Sequence, residues 1–65
     1  MNIDKIKEMV IRCHTAIIKG DAYIPFDWGH INGFYGTSED GDEVFIEYTE
    51  IDLTRDKFYK LVLMD

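Results

Sequence analysis

The sequence predicts a two-layer α+β fold, with one N-terminal amphipathic helix packed on a three- or four-stranded antiparallel β-sheet. Three observations lead to it. Apolar residues recur at helical spacing over residues 3–19, they alternate with a period of two after Gly20, and an Asp-Gly turn separates two alternating runs. At 65 residues the chain makes one domain, residues 1–65. That is near the smallest size at which a hydrophobic core suffices without staples.

Ile3, Ile6, Met9, Val10, Cys13, Ala16 and Ile17 form a single stripe with the 3.6-residue period of a helix. Asn2 stands where an N-cap is needed, and Gly20 stands where a helix would end in a left-handed turn. Ile11 and Ile18 project about 80–100° past the edge of that stripe. Together they form a second narrow seam, open to another chain.

Residues 22–64 predict an antiparallel β-meander. The first strand, 22–26, contains Pro25, which suits an edge or a strand end. Asp27, Trp28, Gly29 and His30 read as a turn, with Trp28 exposed on it. Residues 31–37 form the next strand, where Gly33 and Gly36 signal a bulge or a close approach. Residues 38–42, with Asp40-Gly41 inside, are the clearest turn in the chain. Residues 43–50 follow as a strand with Val44, Ile46 and Tyr48 on one face and Phe45, Glu47 and Thr49 on the other. Residues 54–65 alternate as a strand would; the competing reading is a short helix capped by Thr54 that buries Phe58, Leu61 and Val62. The strand is preferred because it adds a partner to the central hairpin. One helix covers only one sheet face, so Phe45, Phe58, Val62 and, as a further candidate, Phe34 remain on the other.

Charge is the strongest functional signal. The chain carries a net −6, divided as +2 over residues 1–20, −9 over 21–54 and +1 over 55–65. Residues 21–54 contain no Lys or Arg and hold most of the aromatic rings. A protein of this charge is repelled by nucleic acid and by anionic lipid, so direct nucleic-acid binding is not expected. No apolar run approaches the roughly 18 residues of a membrane span, and the N-terminus does not resemble a signal peptide. The single cysteine, Cys13, excludes an internal disulfide and fits a cytoplasmic location. With no disulfide or metal staple, a homodimer is the expected state.

Reaction chemistry finds little support. His14, His30 and Cys13 have no metal-binding spacing, and the acidic turn lacks the ligand series of a calcium loop. There is no phosphate-cradling glycine loop and no nucleophile–base–acid set, so neither catalytic activity nor a cofactor is expected.

The sequence instead suggests a non-catalytic acidic module that docks on a basic protein surface, as an inhibitor or modulator. Its partner could itself bind nucleic acid, with the carboxylates imitating phosphates. Size and charge are shared with small acidic inhibitors made by phages, although no motif carries that likeness. The expected contact residues are Glu39, Asp40, Asp42, Glu43 and Glu47, which steer and position, and Trp28, which anchors. The alternative is an assembly subunit that oligomerises through Ile11, Ile18, Phe45 and Phe58, with the acids serving only solubility.

Overall fold

The computed structural model describes residues 2–64 and shows one helix on a five-stranded antiparallel sheet. Helix α1 spans Ile3–Ile11. The strands are β1, Cys13–Ile18; β2, Asp21–Asp27; β3, Gly33–Ser38; β4, Glu43–Glu47; and β5, Lys60–Leu63. Their order across the sheet is β4-β3-β2-β1-β5. Four strands follow one another as hairpins. The chain then returns through a 3-10 turn, Tyr48–Glu50, and a loop to place β5 at the far edge, beside β1.

Asn2 does cap the helix, accepting the Asp4 backbone N–H at 2.9 Å on its side-chain oxygen. Ile6 and Val10 bury the inward face. The helix does not continue to residue 19. It ends at Ile11, and Cys13–Ile18 is a strand bonded on both sides.

A β-bulge explains why this strand resembles a helix. Cys13 lies opposite Leu63 and Thr15 opposite Val62, so β1 advances two residues while β5 advances one. Cys13 and Ala16, three apart, therefore face the same core, as they would on a helix. Beyond the bulge the period is two, and Ile18, at 3 % exposure, belongs to the core. The β-branched Thr15, Ile17 and Ile18 favour this outcome.

Gly20 has the anticipated left-handed backbone, but in a hairpin turn. Lys19 (φ 52°) and Gly20 (φ 84°) connect Ile18 to its partner Asp21. Positive φ at both central residues suits the right-handed twist of the flanking strands.

Pro25 lies in β2, the middle strand, rather than at an edge. It lies beyond Tyr23, where the pairing of β2 with β1 ends, and next to a second register shift between Pro25 and Asp27. Gly33 and Gly36 mark close approaches and not bulges: a Cβ at Gly33 would stand 2.1 Å from the Ile46 carbonyl oxygen. The turn after β3 forms as expected. Ser38 N–H donates to the Asp42 carbonyl at 2.8 Å, and Gly41 adopts φ 88°. β4 is shorter than its alternating run, yielding to the 3-10 turn at Tyr48. The C-terminal strand is present, but it pairs with β1 instead of the central hairpin.

Register divides the sheet into two faces. Ala16, Ile18, Phe34, Ile46 and Leu61 point inward, where α1 and residues 48–59 cover them; Tyr48, Ile51 and Tyr59 complete this core. Phe34 is thus fully buried and not on the open face. The outer face carries Thr15, Ile17, Ala22, Ile24, Tyr35, Thr37, Phe45 and Val62 without a covering layer.

Candidate protein-binding surface

The strand order converts the charge pattern of the sequence into a spatial one. Lys60 is on edge strand β5, Lys19 follows β1, and Lys5 and Lys7 are on α1, which packs against β1 and β5. Glu39, Asp40, Asp42, Glu43 and Glu47 occupy the β3–β4 turn and the opposite edge strand, all exposed. Among the described residues, none of these five has a cation within 4.0 Å; the ion pairs are Lys19–Glu50 at 3.8 Å and His30–Asp27 at 3.3 Å.

These carboxylates do not form a single array. Glu39, Asp40 and Asp42 converge with Asp21, from the start of β2, around a recess of about 260 Å³ that Tyr23, Ser38 and Val44 also line. The recess is held by the turn itself: Ser38 Oγ accepts the Asp42 N–H at 3.1 Å, and Gly41 N–H donates to the Ser38 carbonyl at 3.0 Å. Asp21 is the member that sequence reasoning missed. It is distant along the chain, and the pairing of β2 with β3, Tyr23 opposite Ser38, brings it alongside. A recess walled by carboxylates and one tyrosine ring suits a Lys or Arg head group, through charge and the ring face together.

Glu43 and Glu47 stand apart from the recess. They flank Phe45 on the outer face of β4, where Phe45 and Tyr35 are cross-strand partners with ring centroids 5.1 Å apart. Phe26 lies 6.2 Å from Tyr35, and His30 meets Tyr35 and Phe45 edge-on at 5.3 and 5.5 Å. Asp27 positions His30 and closes its own turn by accepting the Gly29 N–H at 3.0 Å. That bond, reinforced by His30, holds the Asp27 carboxyl below its usual range.

The remaining candidates are placed differently from expectation. Trp28 is not a free anchor: it is half-buried against the core, and its Nε1 is enclosed without a hydrogen-bond partner among the described residues. Ile11 is exposed (47 %) and Ile18 is a core residue, so the two form no surface seam. Phe58 is exposed in the loop before β5, beneath the Arg55 guanidinium at 5.3 Å, away from the Phe45 cluster.

Among the described residues, no three His, Cys, Asp or Glu side chains converge as a metal site, and no helix is long and apolar enough to cross a membrane. Cys13 is buried in β1, and burial pushes its thiol up to about 11. The folded protein should therefore resist a maleimide at pH 8 and react once urea unfolds it. Full labelling of the native state within minutes would contradict this placement. No protein-family model, no curated protein and no solved structure matches the chain.

Proposed function

We propose that the chain is a non-catalytic binding module that docks on a basic protein surface and thereby inhibits or modulates the protein bearing it. One observation carries the reading. Asp21, Glu39, Asp40 and Asp42 surround a recess beside Tyr23, and none has a counter-ion among the described residues. Carboxylates held by a hydrogen-bonded turn need little reorganisation to receive a cation, and uncompensated charge of one sign accelerates encounter with the opposite sign. A Lys or Arg side chain of the partner fills the recess, its charge among the carboxylates and its stem along Tyr23. If that basic surface normally holds nucleic acid, the carboxylates occupy the place of phosphates.

Titration with an arginine- and lysine-rich peptide tests the proposal. The expected affinity falls with added salt, and it falls at least about tenfold in the triple variant Asp21→Asn, Asp40→Asn, Asp42→Asn. Three exposed pairs reach that magnitude at about 0.5 kcal/mol or more each, within the about 0.2–1 kcal/mol typical of such pairs. Binding that ignores both 0.5 M salt and the triple variant would reject the reading.

A further inference from the structure

We propose that the open sheet face packs on the same face of a second copy of this chain, with the two-fold axis running parallel to the strands. This dimer does not depend on the acidic recess, which opens on the other side of the sheet's turn end.

Each of the five strands puts an apolar side chain on this face, namely Phe45, Tyr35, Ile24, Ile17 and Val62. Phe45 lies opposite Tyr35, Tyr35 opposite Asp27 with Phe26 beside it, Ile24 opposite Thr37, and Thr15 opposite Val62. Phe45, Phe26, Val62 and Ile24 are 37, 43, 41 and 55 % exposed. Single exposed apolar side chains are ordinary, but apolar side chains on the same open face of every strand of a sheet are not.

Charge at the margins of the face selects the occupant. On this face β4 carries Glu43 and Glu47 at one edge, and β5 carries Lys60 at the other. Asp27 is already paired with His30. A surface negative along one edge and positive along the opposite edge complements itself.

Two orientations can be compared. An axis perpendicular to the strands lays β4 on β4, setting Glu43 and Glu47 against like charges. An axis parallel to the strands lays β4 over the partner's β5. The ladder through Glu43, Thr37 and Ile24 and the ladder through Ala22, Ile17 and Lys60 are neighbouring rows of this face. Such rows are about 7 Å apart, a gap that a lysine stem spans. Glu43 of one copy thus meets Lys60 of the other, twice per dimer.

The same orientation limits repulsion between two chains of net −6. It separates the acidic edges by the width of the sheet, about 19 Å, more than twice the Debye length of about 8 Å at physiological salt. It also lays the aromatic half of one face, Phe26, Tyr35 and Phe45, over the aliphatic half of the other, Ile17 and Val62. Face-to-face antiparallel sheets pack in this aligned manner as sandwiches.

The face measures about 24 by 17 Å, or about 400 Å² in plan before side-chain relief. A standard interface buries about 800 Å² per partner. The expected assembly is accordingly a weak dimer that dissociates on dilution.

Sedimentation equilibrium with charge-swapped edges tests the proposal. The wild type should be substantially dimeric at about 1 mM and monomeric on hundredfold dilution. The double variant Glu43→Lys, Glu47→Lys and the single variant Lys60→Glu should each be folded by circular dichroism and monomeric at about 1 mM. Mixed in equal amounts, they should form a 1:1 heterodimer, because both contacts then join opposite charges. Replacing Lys60→Glu in that mixture by Lys57→Glu, which lies outside the face, should weaken the heterodimer, because one of its two contacts then joins like charges. Ile24→Asn provides a check that leaves the edges intact, and it should weaken the wild-type dimer at least tenfold. A wild type that stays monomeric at about 1 mM would overturn the proposal, as would an Ile24→Asn dimer of unchanged affinity. Folded swap variants that fail to pair when mixed would also overturn it.

Discussion

Gly33→Ala will cost the fold about 3 kcal/mol or more and shift its unfolding by more than about 12 °C. A Cβ built at Gly33 meets the Ile46 carbonyl oxygen at 2.1 Å and the Glu47 Cα at 2.9 Å. Both obstacles are backbone, in the strand to which β3 is hydrogen-bonded, so no rotamer change relieves the clash. Overpacking typically costs about 1–3 kcal/mol when side chains can move, and a rigid obstacle lies at or above the top of that range. At about 0.05–0.15 kcal/mol per residue, the whole domain has only about 3–10 kcal/mol to lose. Each kcal/mol corresponds to about 4–8 °C in a domain of this size. The control is Gly29→Ala, where the nearest obstacle is the Asp27 carboxylate oxygen at 3.3 Å, on a side chain that can turn. Thermal unfolding followed by circular dichroism should separate the two clearly. Equal midpoints for Gly33→Ala and the wild type would show that β4 does not approach β3 as closely as described.

Tyr48 should respond in opposite directions to two substitutions. Its side chain is fully buried, with its ring 5.9 Å from that of Phe34 and tilted by 30°. Tyr48→Ala removes the largest fully buried side chain and should destabilise by about 3–5 kcal/mol, enough to unfold much of the population. The hydroxyl is a liability, however. It is buried and finds no hydrogen-bond partner among the described residues, and desolvation raises its pKa. Leaving such a group unpaired costs about 1–3 kcal/mol, so Tyr48→Phe should stabilise the fold by about 1 kcal/mol or more. Urea unfolding measures both. A destabilised Tyr48→Phe would mean that the hydroxyl is satisfied and that the packing beneath α1 differs from that described.

The parts of the fold governed by local chemistry were readable from sequence. Asn2 caps the helix, Ser38 and Gly41 fold the acidic turn, and alternation correctly assigns Val44 and Ile46 to one face of β4. What the sequence concealed was tertiary. The bulge opposite Val62 gives a sheet strand the spacing of a helix, and Lys19 is not a residue that announces a left-handed turn. Pro25 sits in the middle strand beyond the end of that strand's pairing with β1. The partner of β5 depends on the return of residues 48–59 across the inner face, which no local pattern encodes.

The candidate site divides the same way. The acids of the β3–β4 turn were legible as a cluster, whereas Asp21 joins them only through hairpin geometry. Trp28 lies in an irregular segment with no periodicity to predict which side it faces, and it turns inward. The anchoring rings of the open face are instead Phe26, Tyr35 and Phe45, brought together by register across three strands.

The central claim is that the acids of the β3–β4 turn, with Asp21, form the docking point for a cationic partner. The most direct measurement is the map of backbone amide shifts as an arginine- and lysine-rich peptide is added at low salt to protein dilute enough to be monomeric. The account predicts the largest shifts at Asp21, Tyr23 and residues 38–44, with reversal on adding salt. Shifts centred on α1 or spread evenly over the chain would contradict it.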